Sequence, residues 1–320
     1  MALLSVLMIT YNHEKYIAQA IEGALMQQTD FSFEIIIGED CSKDKTLMIC
    51  REYAKTFPEK IRLLENEENI GMMPNFIKTF KECSGKYIAL CEGDDYWTDP
   101  LKLQKQVSFL EANPGYTICF HRVYELINGK SVLSQLNIAT EETTYTINDL
   151  ATGNFMHTPS VVFKNIMHTG FPTWFSASPV GDYPLHLLNA AKGLIRYMPK
   201  PMGIYRRHDG GIWSNIKSVQ RSEKWLLLLQ CLLQENFTNE VKKILQQQVT
   251  KYQEKHLKAL MQEDDWKVFL EKLSQYTEES MYISRKWLLE YYPAYIESIK
   301  KSKSYRYAHM VKLFVKRLRR

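Results

Sequence analysis

Short runs rich in Ile, Val and Leu alternate with helix-patterned stretches from the N-terminus onward. SVLMIT, FEIIIG, IRLLE and KYIALC are separated by amphipathic segments over about 14–27, 43–57 and 75–83. Such runs, alternating with helices, predict βαβ units and a mostly parallel sheet covered by helices on both faces, an α/β fold. In sheets of this kind ligands bind beyond the carboxyl ends of the strands. That rule places Thr10, Tyr11, Asn12, Glu39, Asp40, Asn66 and Asp94 on one rim.

Further along, Asp99-Pro100 opens a helix over about 101–112, and YTICFHRVYEL predicts one strand over 116–126. The stretch 127–180 scatters Gly, Pro, Thr and Asn among short apolar pieces, so loops and short strands are expected there, forming one wall of a cleft. Asp182 precedes Pro184 and a helix to about 192, followed by LIRYMP and MGIYRRH as short strands. Beyond Trp213 the composition shifts to Gln, Lys, Glu, Leu and Tyr, with no glycine after Gly211. Two parts follow from this change: a domain over 1–212 and a helical region over 213–320. The closing YRYAHMVKLFVKRLRR sets Met310, Leu313, Phe314 and Leu318 near one stripe among Lys and Arg. A helix of that kind suits an anionic membrane surface, and equally suits docking on protein with a solvated basic face.

At 45% hydrophobic and 24% charged residues, the chain falls outside the disordered and fibrous classes. A formal net charge of +5 is too small for this length to announce a nucleic-acid partner. The cysteines, Cys41, Cys50, Cys83, Cys91, Cys119 and Cys231, form no C-x-x-C pair and share no zinc-ligand spacing with histidine. They read as reduced thiols, which makes a cytoplasmic location the expectation. MALLSVLMIT has no basic leader, and its apolar run is shorter than the ~20 residues of a membrane helix; it reads as a first buried strand.

The chemistry concentrates in YIALCEGDDYW, where a buried strand ends in Glu92, Asp94 and Asp95. Crowded carboxylates raise one another's pKa unless a cation sits among them. Hard oxygen ligands at such a place suit Mg²⁺ or Mn²⁺ with positions left for water and substrate phosphates, although a solvated acidic turn has the same composition. On the same rim Tyr11 can supply an aromatic shelf and Asp40 a carboxylate that accepts from ligand N–H groups. The same residues fit an ordinary strand-to-helix turn at Tyr11-Asn12 and a helix cap at Asp40, Ser42 and Asp44.

Three pieces in order, LLSVLMITYNHEKYIAQAIEGALMQQ, FEIIIGEDCSKDKT and GKYIALCEGDDYW, resemble the family 2 glycosyltransferases of GT-A fold, with a Rossmann-like sheet. The resemblance covers residues 1 to about 210. It implies an inverting transfer of a sugar from a nucleoside-diphosphate donor, a UDP-sugar in the first place, to a glycan or lipid-linked glycan hydroxyl. It also implies Mn²⁺ or Mg²⁺ as cofactor and cell-surface polysaccharide assembly on the inner face of the membrane. By the same resemblance, Thr10, Tyr11, Asn12 and Asp40 line the nucleotide pocket. Asp94 approaches ribose and metal, Asp95 is the direct metal ligand, and His208 completes the ligand set. Arg206 and Arg207 meet the diphosphate, and Asp182 is the catalytic base. IYRRHDGGIWS resembles the family's basic motif, with Gly210-Gly211 read as a mobile lid.

The sequence departs from the family pattern in three places. Glu39-Asp40-Cys41-Ser42 stands where Asp-Asp-Gly-Ser is common. Met72-Met73-Pro74-Asn75 replaces a segment that often carries an arginine, and Gly181-Asp182 replaces Glu-Asp. Asp182 also fits a simple helix cap ahead of Pro184. His121, His157, His168 and His186 show no ligand spacing and read as core or surface residues. A sugar nucleotidyltransferase is the rival within the fold class, disfavoured because TYNHEKY is no Gly-rich phosphate loop. A non-catalytic relative binding a glycan or partner, through a tail that also suits a homodimer contact, is the rival outside it. A dehydrogenase is disfavoured, because no G-x-G-x-x-G follows a strand.

Overall fold

A computed structural model describes residues 2–137, 139–167, 170–208, 216–263 and 265–279. It divides into two compact units, residues 1–215 with 235–244, and residues 216–234 with 245–320. Gly210-Gly211, His168 and the basic segment ending the chain lie outside the described residues.

The first unit opens in strict alternation: β1 (Leu4–Thr10), α1 (Ile17–Leu25), β2 (Phe33–Glu39), α2 (Thr46–Thr56), β3 (Ile61–Glu65), α3 (Met72–Lys81) and β4 (Tyr87–Leu90). Then come β5 (Tyr96–Trp97), α4 (Lys102–Ala112), β6 (Tyr116–His121), β7 (Tyr124–Ile127), β8 (Lys130–Leu133), β9 (Thr143–Tyr145) and α5 (Ile147–Leu150). β10 (Val162–Lys164), α6 (Asp182–Ala190), β11 (Leu194–Met198) and β12 (Gly203–Arg207) complete it. An eight-stranded sheet runs β3-β2-β1-β4-β10-β6-β11-β9, and a four-stranded sheet runs β5-β12-β7-β8. β3, β2, β1 and β4 are parallel, so their carboxyl ends form one rim, as the alternation predicts. β10 is antiparallel to both its neighbours, which makes the large sheet mostly rather than wholly parallel.

Every residue of β1 is buried because helices cover both faces, which is why its sequence shows no polar alternation. On one face α1 contributes Ile17, Ala20, Ile21 and Ala24, at helical spacing, and α4 adds Leu103, Val107 and Leu110. On the other, Phe76 and Phe80 of α3 pack with Phe163, Phe171 and Phe175. α3 begins before the expected residue 75 and takes Pro74 into its first turn, where a missing N–H leaves no helical bond unmade.

The strand expected over 116–126 is in fact two. The chain leaves β6 at Arg122, whose amide bonds the carbonyl of Met198 and whose guanidinium bonds that of Ser134. β7 then pairs with β12 and β8 in the smaller sheet. β6 is buried while β7 is only partly so, with Tyr124 exposed, yet apolar and aromatic residues continue through the crossing, so the break leaves no mark in the sequence.

His186 of α6 is fully buried with neither ring nitrogen hydrogen-bonded among the described residues, and burial pushes its imidazole down to about 3. The unfolded chain takes up this proton first, near pH 6.5, so the contribution is complete above that value and lost as pH falls toward the folded pKa. At pH 5 the loss is about 2 kcal/mol. Burial raises the carboxyls of Glu92, Asp95 and Asp182, which act in the opposite sense, so the effect shows in a difference between variants. His186→Leu is expected to lose less melting temperature than the unmodified protein when moved from about pH 7.5 to about pH 5. Parallel losses in the two proteins would remove His186 as the source.

The second unit is helical: α7 (Ser218–Gln234), the later part of α8 (Asn239–Gln262) and α9 (Trp266–Glu279). Trp225 stacks on Tyr252 at 5.4 Å, and His256 Nδ1 lies 2.6 Å from the Tyr276 hydroxyl. Among the described residues, no helix is long and apolar enough to cross a membrane.

Candidate active site

The rim is shaped first by turns that follow β1 and β2. Asn12 leaves β1 with φ 56°; its amide bonds Ser42 Oγ at 2.9 Å, and its Oδ1 accepts from the Lys43 amide at 2.8 Å. Tyr11 beside it is partly exposed. After β2, Cys41 takes φ 58°, the left-handed conformation for which the family's usual glycine is suited. Glu39 holds it there, accepting from the amides of Cys41 at 3.1 Å and Ser42 at 2.9 Å. Asp40 is buried. Its Oδ1 accepts from Asn66 Nδ2 at 2.8 Å and the Ile70 amide at 2.9 Å, and its Oδ2 from the Gly71 amide at 2.9 Å. Asp40 thus fixes the loop leading into α3.

The acidic turn after β4 is pressed against the end of β1. A Cβ on Gly93 would lie 2.5 Å from Thr10 Oγ1 and 3.1 Å from His13 Nδ1, so only glycine permits the approach. Asp94 consequently faces two histidines: its Oδ2 is 3.0 Å from His208 Nε2 and 3.8 Å from His13 Nε2. Burial works against its charge, but the hydrogen bond from His208 and the field of His13 outweigh it and hold the carboxyl below its usual range. Asp95 points inward, 1% exposed, with Oδ1 accepting from the Arg206 amide at 2.8 Å. Burial, then the charges of Asp94 and Glu92, push it well above the usual range. Burial and the charges of Asp94 and Asp182 bring Glu92 up to about 8.

Among the described residues, two groups of side chains could hold a divalent cation, His13–Asp94–His208 and Glu92–Asp94–Asp95, each with ligand atoms within 4.8 Å of one another. Asp94 belongs to both. Carboxylate and imidazole donors at such separations are the donor set a divalent metal requires.

Asp182 opens α6, with Oδ2 accepting from Asn154 Nδ2 at 2.9 Å. Burial raises its pKa, tempered by the Tyr183 amide and by Asn154. The Tyr205 hydroxyl is raised by burial and then by the charges of Asp95, Glu92, Asp94 and Asp182, so Asp182 stands within electrostatic reach of the acidic turn. Gly181 sits beside Met73, whose sulfur would be 3.5 Å from an added Cβ, and Asp40 anchors Gly71 just ahead of it. The loop that Asp40 anchors therefore reaches the start of α6 at Gly181.

The basic residues fare differently. The Arg206 guanidinium lies over Tyr96 at 4.4 Å and Tyr16 at 5.0 Å, donates to the Asp94 carbonyl at 2.5 Å, and bonds Gln19. It braces the acidic turn from within the protein. Arg207 is 60% exposed and pairs with Glu125 at 3.3 Å. His13 and Asn154 escaped the sequence reading. Only TYNHEKY, placing His13 three residues after the end of β1, carried a signal for the first; Asn154, 28 positions before Asp182, carried none. His121 and His186 are core residues, and His157 lies against Tyr205 with ring centroids 4.7 Å apart and planes tilted by 40°, burial pushing it down to about 4.

The family model described as glycosyl transferase family 2 matches residues 5–171, more than half of the chain. The chain belongs to glycosyltransferase family 2. An uncharacterized protein of Mycobacterium tuberculosis is 38% identical over 219 residues, covering 68% of this chain and 62% of that one. This family 2 chain therefore matches less than two thirds of that relative's length. The Escherichia coli protein named UDP-Glc:alpha-D-GlcNAc-diphosphoundecaprenol beta-1,3-glucosyltransferase WfgD is 32% identical over 144 residues, 45% of this chain and 53% of its own. Among solved structures, S. aureus TarS 1–349 in complex with UDP-GlcNAc superposes with a TM-score of 0.60 at 20% identity, covering 80% of this chain and 72% of that one. The mannosyltransferase PcManGT from Pyrobaculum calidifontis, in complex with GDP-Man and Mn²⁺, gives 0.57 at 17% identity, covering 99% and 87%. These likenesses show the GT-A fold.

Proposed function

We propose that this family 2 chain is a metal-dependent inverting glycosyltransferase. It moves a sugar from a nucleoside-diphosphate donor to a hydroxyl of a glycan or lipid-linked glycan in cell-surface polysaccharide synthesis. The observation carrying this reading is electrostatic neighbourhood: Asp182, held by Asn154 at the start of α6, stands close enough to the acidic turn after β4 for its charge to act on Glu92. Family membership, the TarS complex with UDP-GlcNAc, the PcManGT complex with GDP-Man and Mn²⁺, and the name of WfgD support it.

In this reading Thr10, Tyr11, Asn12 and Asp40 receive the nucleotide, with a UDP-sugar as the donor. Asp182 takes the acceptor hydroxyl's proton as its oxygen bonds the anomeric carbon. The bond from that carbon to the diphosphate breaks on the opposite face, and its electron pair leaves with the nucleotide. A divalent cation, Mn²⁺ or Mg²⁺ at Asp94, supplies charge neutralisation of the diphosphate when bound. Arg207, exposed at the end of β12, is placed for a phosphate, while Arg206 keeps the acidic turn in shape. The region 213–320 serves acceptor docking, self-association or membrane contact, and the protein works at the cytoplasmic face of the membrane.

The test is release of free nucleotide from a panel of UDP- and GDP-sugars, with Mn²⁺, with Mg²⁺ and with chelator. One donor is expected to be used, only with metal, and the glycoside made on a matched acceptor should show the inverted anomer by NMR. A retained anomer would overturn the mechanism, and absence of release from every donor would overturn the activity.

A further inference from the structure

Two clusters compete for the cation, and the geometry points to the histidine side: we infer that His13, Asp94 and His208 form a two-imidazole, one-carboxylate centre that prefers Mn²⁺, Co²⁺ or Zn²⁺ over Mg²⁺ and Ca²⁺. The inference deepens the proposed reading and rests on it only for what completes the shell, a donor diphosphate or water.

The argument starts with access. Asp95 is 1% exposed, its Oδ1 is committed to the Arg206 amide and its Oδ2 is buried with no hydrogen-bond partner among the described residues, so it offers no open surface to an arriving ion. The side chains of His13, Asp94 and His208 keep 17%, 19% and 16% of their surface open. Distance comes next. Donors about 2.0–2.2 Å from one metal lie about 3.0–3.6 Å from each other. Asp94 Oδ2 stands 3.0 Å from His208 Nε2 and 3.8 Å from His13 Nε2, so small side-chain movements complete the set.

The supports behind the ligands are also those a metal centre needs. His13 Nδ1 is 3.2 Å from Thr10 Oγ1, and a proton shared there leaves the Nε2 lone pair facing Asp94. The His13 amide bonds Thr46 Oγ1 at 2.7 Å, and its carbonyl accepts from Tyr16 and Ile17, so the backbone carrying the ring is pinned. His208 packs on Tyr16 at 4.9 Å and follows Arg206, whose amide Asp95 holds. Asp95 is then a positioning residue for the β12 end of the centre. Imidazole nitrogens favour later first-row ions, whereas Mg²⁺ and Ca²⁺ require oxygen, which gives the direction of selectivity.

Metal binding to the full chain without nucleotide tests this, using Mn²⁺ titration read by electron paramagnetic resonance. One Mn²⁺ is expected, with spin-echo modulation from two imidazole nitrogens and displacement by Mg²⁺ only at roughly 100-fold excess or more. His13→Ala should weaken Mn²⁺ by roughly tenfold or more and leave one imidazole signal. Asp95→Asn, which keeps an acceptor for the Arg206 amide, should stay within about threefold of the unmodified affinity. Modulation from fewer than two imidazoles in the unmodified protein overturns the inference without any variant having to fold. So does loss of Mn²⁺ in Asp95→Asn with His13→Ala unchanged. Two imidazoles on Mn²⁺ with no nucleotide released from any sugar donor would sustain the centre and end the transferase reading. Turnover of a donor with Mn²⁺ affinity indifferent to His13 would do the reverse.

Discussion

Asp182→Asn is expected to lower turnover by roughly two to four orders of magnitude while donor affinity stays within about twofold. The amide preserves size, the hydrogen-bonding partner at Asn154 and the start of α6, yet cannot accept the acceptor's proton. Steady-state rates and calorimetric titration of the nucleotide separate the two effects. The same carboxyl sets a pH signature. Burial raises its pKa, and a base works only when deprotonated, so kcat/KM should fall on the acid side at a pH above the ordinary carboxylate range. Turnover in Asp182→Asn equal to the unmodified enzyme would leave Asp182 as nothing more than a helix-start residue.

Asp94→Ala is expected to abolish the metal dependence of nucleotide binding and to lower turnover by roughly three orders of magnitude, the worth of several kcal/mol of lost charge stabilisation. Asp94 belongs to both candidate cation clusters, so the result does not depend on which of them holds the ion. The measurement is UDP or GDP affinity with Mn²⁺ and with chelator, in both proteins. An unmodified protein that binds nucleotide equally well in both conditions would contradict the metal's role, and a variant that keeps its metal dependence would contradict that of Asp94.

Much of this site is legible because a parallel sheet converts order along the chain into neighbourhood in space. Once SVLMIT, FEIIIG and KYIALC are read as strands, the residues that follow each must share a rim, and Thr10, Asp40 and Asp94 do lie there. Asp182 is legible at the start of its helix, although its hydrogen bond to Asn154 crosses a region of loops with no periodic pattern. The crossing from β6 to β7 is invisible, because apolar and aromatic residues continue through the turn even though β7 is only partly buried.

Residue chemistry and strand order, then, determined the α/β class, the rim and its carboxylates, since these depend on local pattern and on the rule that parallel strands end together. Tertiary structure alone decided the direction in which each group points. Adjacent aspartates were separated into Asp94, facing the histidines, and Asp95, turned onto the Arg206 amide. Arg206 went between two tyrosines rather than into the open. Such choices depend on partners 80 to 190 residues away in the chain, as between Asp95 and Arg206, |i−j| = 111, and no local spacing encodes them.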